Sequence, residues 1–345
     1  MANSNYSVGD PQAEQMIQDL VDFCDNPIVP DLLKEILTTV VKMGLEHHDR
    51  GDFKLTNNTL KELRHAYRVF LPYREKRKVV IFGSARTPDS DPSYQMALET
   101  AQAVVEKGHM VITGAGGGIM EAANLGAGRE NSFGINIRLP KEQRANLHIE
   151  GDSKLMQFKY FFTRKLIFIK ESDATILFPG GFGTLDEGFE NLTLFQTGKC
   201  MPRPVILVEP KNGTYWESLL HLLDKELLSK GYISSIDMNL FHIVHSVEEA
   251  IQHLEDYYRY YHSLRYVNGL TVLRFTKALS PAVVEYLNHE FRDILQDGDF
   301  QASKALEAEK AANEFPDLPR LVFKFNKHYF GRLNEMILWI NRNLV

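Results

Sequence analysis

Apolar residues in the first 75 positions recur at helical spacing, as in Leu32, Leu33, Ile36, Leu37, Val40 and Val41, then Leu60, Leu63, Tyr67 and Phe70, until Pro72 closes the run. From Lys78 the pattern changes. Short β-branched runs appear at 79–82 (VVIF), 110–113 (MVIT), 133–138 (FGINIR), 174–178 (ATILF) and 204–208 (PVILV), with helix-like stretches between them. Strands alternating with helices predict βα units on a doubly wound parallel sheet covered on both faces. A Tyr-rich helix (LEDYYRYYHSLRYV) then leads to a strand, GLTVLRF, a helix over 280–295, a polar stretch over 296–318, a strand, RLVFKF, and a last helix ending MILWINRNLV. The predicted organisation is a helical N-terminal extension (1–75), an α/β core (76–260) and a small α/β C-terminal extension (261–345) of β-α then β-α order. That tail packs on the core or on a partner subunit, and no cluster within it suggests a site.

Composition narrows the function classes. The 345 residues carry 39 Lys and Arg against 45 Asp and Glu, a net charge of -6, and no long basic run, so no nucleic-acid partner is expected. The opening MANSNYSVGD lacks the blocks of a signal peptide, and no stretch approaches the roughly 18 apolar residues of a membrane span. A soluble, cytoplasmic protein without a membrane partner is expected. With Cys24 and Cys200 alone, neither a disulfide framework nor a cysteine-rich metal site can organise the fold.

The chemistry concentrates in three glycine-rich turns at strand ends: FGSAR (82–86), TGAGGGIMEAAN (113–124) and PGGFGT (179–184). In an open parallel sheet, ligands gather beyond the carboxyl ends of the strands, where backbone N–H groups and helix N-termini face one crevice. Three such turns point to a phosphate cradle built from Gly83, Ser84, Gly116, Gly117, Gly118, Gly180, Gly181, Gly183 and Thr184. A dinucleotide fingerprint fails, because Ile119 stands where G-x-G-x-x-G needs glycine and Arg138 where a ribose-binding acid belongs. No Gly-Lys-Ser/Thr ending supports a triphosphate site either.

Two further features bear on reactivity. In KYFFTRKLIFIKES (159–172) the residues Phe161, Phe162, Leu166, Phe168 and Ile169 form an apolar arc at helical spacing, with Lys165 inside it and Arg164 at its edge. Two cations on a largely buried helix require anionic partners, either a structural carboxylate or a ligand. Glu187 has two readings: TLDE matches a capping box in which Thr184 caps the helix and Glu187 reaches back to it, or the carboxylate faces a ligand held by the adjacent turn. His47 and His48 lack a partner at ligand spacing, and no H-E-x-x-H, G-x-S-x-G or C-x-x-C occurs, so no metal is assigned.

The combination of PGGFGTLDE, matching P-G-G-x-G-T-x-x-E, with the upstream pair in FFTRK resembles the Lonely Guy family of cytokinin riboside 5'-monophosphate phosphoribohydrolases, often labelled lysine decarboxylases. The likeness covers about 76–260. It implies a Rossmann-like subunit, a homodimer or higher homo-oligomer, no cofactor, and hydrolysis of the N-glycosidic bond of a purine nucleoside 5'-monophosphate such as AMP to free base and ribose 5-phosphate. It implies Arg164 and Glu187 as catalytic residues and Gly180 to Thr184 as the phosphate loop, with FGSAR and GAGGGIM completing the pocket. Phe161-Phe162-Thr163 replaces the M-H-x of plant-type members, and Glu121 stands where they carry glycine. The alternative is a nucleotide-binding regulatory protein without turnover. A decarboxylase would need a pyridoxal phosphate lysine, for which Lys165 is the one candidate.

Overall fold

The computed structural model describes residues 6–26, 28–139, 144–310 and 315–344. Residues 1–5 of the N-terminal stretch and 311–314 of the polar stretch fall outside them. The chain divides into two compact units, Met1–Glu62 and Leu63–Val345. The first holds α1 (Pro11–Phe23), α2 (Pro30–Leu45) and the start of α3 (Arg50–Phe70). Asp10 caps α1 by accepting the Ala13 N–H at 2.8 Å. Leu32, Ile36 and Val40, part of the predicted helical face, are exposed.

In the second unit, β1 (Lys78–Phe82), α4 (Pro92–Glu106), β2 (Met110–Thr113), α5 (Ile119–Ala127), β3 (Ser132–Ile137), β4 (Leu155–Phe158), α6 (Phe161–Glu171), β5 (Ala174–Leu177), α7 (Phe182–Gln196), β6 (Val205–Val208), α8 (Tyr215–Leu222), β7 (His242–Val244) and α9 (Val247–Tyr258) build the α/β core. The sheet is parallel throughout, in the order β4-β3-β2-β1-β5-β6-β7. All five predicted core strands are present. β4 and β7, both at sheet edges, were not anticipated. The order reverses direction between β1 and β5, which pair from Val79↔Ala174 to Phe82↔Leu177, so FGSAR and PGGFGT leave the sheet side by side at the switch point. Period-two alternation sends Val79, Ile81, Val111, Ile176 and Ile206 to a face covered by Ala97, Ala101, Ala122 and Ala123 of α4 and α5. Val80, Phe82, Ile112 and Leu177 point to the other face.

The buried cluster on that second face continues into the tail. β8 (Tyr261–Val267), β9 (Leu270–Phe275), α10 (Pro281–Glu290), β10 (Leu295–Ser303), α11 (Glu307–Lys310), β11 (Arg320–Phe325) and α12 (Phe330–Asn343) form an antiparallel sheet, ordered β10-β11-β9-β8, with its helices. Three expectations are corrected here. The Tyr-rich run is not one helix: α9 stops at Tyr258 and the residues from Tyr261 pair with β9. The polar stretch contains β10, and the helix expected over 280–295 ends at Glu290. The tail is therefore a hairpin followed by α-β-α-β-α rather than a simple β-α repeat.

Leu273, Phe275, Leu321, Phe330, Leu333 and Ile337 of the tail lie in the same buried cluster as Phe82, Ile112 and Leu177. Polar bonds fix this seam. The Tyr257 hydroxyl donates to Asn334 at 2.8 Å, the Asn334 amide donates to the Asn239 carbonyl at 2.7 Å, and Asn341 accepts the N–H groups of Tyr260 and Tyr261. α12 approaches so closely that a Cβ on Gly331 would overlap the Ile236 carbonyl oxygen.

Candidate active site

The switch point is closed by backbone bonds between the turns. Phe178 donates to the Phe82 carbonyl at 2.8 Å, and Ser84 donates to the Pro179 carbonyl at 3.1 Å. The middle turn joins them through the Ile119 N–H, which reaches the Ser84 carbonyl at 3.1 Å. Gly118 makes this contact feasible: its φ is +59° and a side chain would strike the Ser84 carbonyl. Ala115, also at φ +59°, holds the same left-handed region without glycine's freedom. Thr113 Oγ1 accepts its N–H at 2.9 Å and donates to Asn124, while Asn146 donates to Asn124 and to the Gly116 carbonyl. This buried Thr113–Asn124–Asn146 network holds the middle turn in shape.

Two helices begin at these turns. α5 starts after Gly118 and α7 after Gly181, so the first N–H groups of both lack intrahelical acceptors. Such ends favour an anion. The Tyr215 hydroxyl, from α8, donates to the Gly180 carbonyl at 2.6 Å and steadies the third turn.

The helix boundary also decides the capping question. Gly181 is the N-cap and Thr184 lies inside the first turn, with no side-chain cap bond, so the TLDE capping box does not form. Glu187 is instead a helix-interior residue that is 5% exposed. Its Oε2 is buried without a hydrogen-bond partner among the described residues. Burial pushes its pKa up to about 7, against the opposing pull of Lys165 and Arg164.

The two cations come from α6. Lys165 Nζ lies 2.7 Å from Glu190, 3.0 Å from Asp186 and 3.6 Å from Glu187 Oε2. Burial works against its ammonium, but the bonds to Glu190 and Asp186 outweigh it and hold the pKa above the ordinary value. Arg164 Nε donates to the Ile135 carbonyl at 2.9 Å, and its guanidinium sits over the Phe168 ring at 5.0 Å. A terminal nitrogen lies 2.6 Å from where a Gly114 Cβ would stand, against the middle turn. Burial lowers the Arg164 pKa while the Glu187 charge opposes that shift.

The helix that carries these cations departs from expectation. Ile167 and Phe168 are buried, but Phe161, Phe162 and Leu166 of the predicted apolar arc are exposed. Phe182 and Phe189 on α7 are exposed too, Phe182 to 94%.

The family described as "Possible lysine decarboxylase" matches residues 117–254. The Oryza sativa protein LOGL5, named a probable cytokinin riboside 5'-monophosphate phosphoribohydrolase, is 30% identical over 190 residues, covering 53% of this chain and 73% of the relative. The chain belongs to the Lonely Guy family. Arabidopsis thaliana LOG1, named a cytokinin riboside 5'-monophosphate phosphoribohydrolase, is 38% identical over 94 residues, 27% of this chain and 42% of that protein. Among solved structures, TM1055 aligns with a TM-score of 0.38 at 25% identity, over 52% of this chain and 98% of its own.

For this Lonely Guy member, the positions singled out in the sequence occupy one neighbourhood: Gly83, Ser84, Gly116 to Gly118 and Gly180 to Thr184 in the joined turns, with Arg164, Lys165 and Glu187 beside them. Sequence reasoning missed Asp186 and Glu190 as partners of Lys165, the Thr113–Asn124–Asn146 network, and Tyr215. Asp186 and Glu190 flank Glu187 within one helical turn, which was the available signal. Asn146 and Tyr215 lie outside every motif and gave none.

Proposed function

We propose that this protein hydrolyses the N-glycosidic bond of a purine nucleoside 5'-monophosphate of the AMP type, releasing the base and ribose 5-phosphate. The carrying observation is Glu187: a buried carboxyl whose Oε2 accepts no hydrogen bond among the described residues and has only Lys165 at 3.6 Å, on the helix whose N-terminus is the glycine turn. A phosphate at that N-terminus would set the sugar beside the carboxylate. As the C1'–N bond breaks, its electron pair leaves with the base, which takes up a proton from solvent, and positive charge builds on the ribose. Ionised Glu187 offsets that charge and takes a proton from the water whose oxygen bonds to C1'. Arg164, against the middle turn, supplies positive charge for the phosphate or the departing base.

A decarboxylase reading has less support. A Schiff-base lysine needs a depressed pKa, whereas Lys165 is tied to two carboxylates that raise it. The exposed apolar residues of α6 and α7 support a homodimer formed over that face.

The test is product analysis with a panel of nucleoside monophosphates. AMP or a close purine analogue is expected to give free base and ribose 5-phosphate, with adenosine a poor substrate because phosphate binding positions the sugar. Equal rates on AMP and adenosine would overturn the cradle. Binding of AMP without base release would favour the regulatory alternative.

A further inference from the structure

The hairpin of α1 and α2 in the first unit has an apolar face that its own packing does not use. α1 packs on α2, with Ile17 and Val21 buried and Leu33, Leu37 and Val41 half-buried. The two helices run antiparallel: ahead of α1, the Tyr6 hydroxyl lies 3.2 Å from Thr39 Oγ1 and the Ser7 carbonyl accepts from Lys42 at 3.4 Å, both in the second half of α2. Met16, Leu20 and Phe23 of α1 and Leu32, Ile36 and Val40 of α2 are between 40 and 86% exposed. Met16 and Leu20 precede Ile17 and Val21 by one position, and Leu32, Ile36 and Val40 precede Leu33, Leu37 and Val41 in the same way. Each open strip is therefore turned by about 100° in the same sense from the packed one. In antiparallel helices, equal turns of one sense bring both strips to the same side. Together they leave about 600 Å² of apolar surface open, the upper end for a monomer's largest patch.

The charge around this face has one sign. Asp19, Asp22, Asp25, Asp31 and Glu46 are exposed. The hairpin's cations, Lys34 and Lys42, are engaged within it: Lys34 pairs with Glu14 at 3.5 Å, and Lys42, bonded to Ser7, also lies 4.9 Å over the Tyr6 ring. A second copy of the hairpin would set acid against acid, and an anionic bilayer would be repelled. An apolar face with acidic flanks matches in shape and charge an amphipathic helix that carries Lys and Arg beside its own apolar stripe.

We propose that the α1–α2 face docks a basic amphipathic helix of another protein. Its apolar anchors, spaced along one face of that helix, lie on the two open strips, and its flanking cations meet the carboxylates of Asp19 and Asp31. This requires nothing of the turnover proposed for the glycine turns.

The probes are an amphipathic leucine–lysine peptide four helical turns long and its leucine–glutamate counterpart, which share an apolar face and differ in charge. Each is labelled and its fluorescence anisotropy followed as the full chain is added. The wild type should bind the lysine peptide saturably and the glutamate peptide about tenfold more weakly or worse. Leu20→Glu with Ile36→Glu adds negative charge while removing apolar contact, so docking predicts a loss of about tenfold for the lysine peptide, whereas purely ionic adhesion predicts a gain. Phe23→Ser with Leu32→Ser, at the neighbouring ends of the strips, should give a comparable loss with no change of charge, and Asp19→Asn with Asp31→Asn a smaller one. All three variants should keep the wild-type helical circular dichroism, because the altered side chains are exposed. A lysine peptide that fails to bind, or that binds both apolar-face variants as tightly as the wild type, would overturn the proposal. So would light scattering that gives those two variants a lower mass than the wild type, since the face would then belong to a second copy.

Discussion

Glu187 illustrates how the carboxylate that the proposed chemistry needs can weaken the fold that buries it. Its pKa of about 7 in the folded protein lies above the 4.5 of an exposed glutamate, so the native state holds a proton that the unfolded chain releases between those values. Stability from this group is complete below about pH 4.5 and is lost as pH rises through 7. Glu187→Gln removes that dependence. The variant should therefore match the wild type near pH 4.5 and become more stable above it, by at most about 3 kcal/mol at pH 8. Denaturant melts of both proteins across this range check the sign, and a variant less stable than wild type at pH 8 would contradict it. The same change should cut base release about 100-fold or more, since the amide neither accepts a proton nor offsets ribose charge. Wild-type kcat/KM should rise with pH toward a plateau above about 7. Glu187 was legible as a candidate because its motif is compact. Its lack of a hydrogen bond at Oε2 was not, because that depends on where α7 begins and on Lys165 lying closer to Asp186 and Glu190 than to Glu187.

Among the elements, α6 and α7 carry the residues of the proposed chemistry and five exposed large apolar side chains, Phe161, Phe162, Leu166, Phe182 and Phe189. Phe161, Phe162 and Leu166 satisfy a helical period, but the fully buried residues of that helix are Thr163, Ile167 and Phe168. If two copies cover this face, Phe162→Glu with Leu166→Glu should shift the protein from dimer to monomer by light scattering, because buried charges oppose association. An unchanged dimer would place the interface elsewhere. Element legibility followed burial. The central strands read clearly because both of their faces are apolar. β10 was hidden because LQDGDFQAS lies at a sheet edge with most side chains in solvent, and β8 because its tyrosines and arginine fit a helix as readily as a strand.

Across the whole molecule, the tail shares a hydrophobic cluster with one face of the parallel sheet. Cutting the chain after Tyr266 would remove β9, β11 and α12 and uncover the surfaces of α7, α9 and residues 235–240 on which α12 packs, a loss far larger than the few kcal/mol by which domains are stable. The truncated protein should be insoluble or melt without a cooperative transition, as followed by circular dichroism. A soluble truncation with a sharp melt would show that the tail only rests on the core. The sequence showed an apolar tail but not its destination, because Leu321, Phe323 and Phe325 alternate in the same way whether they face the core or another subunit. The seam at Gly331 has a further consequence. A single methyl there must push α12 off the Ile236 carbonyl, far from the glycine turns. A Gly331→Ala allele should therefore change how much of the protein a cell retains, through faster clearance of opened chains, while each surviving copy works at its normal rate.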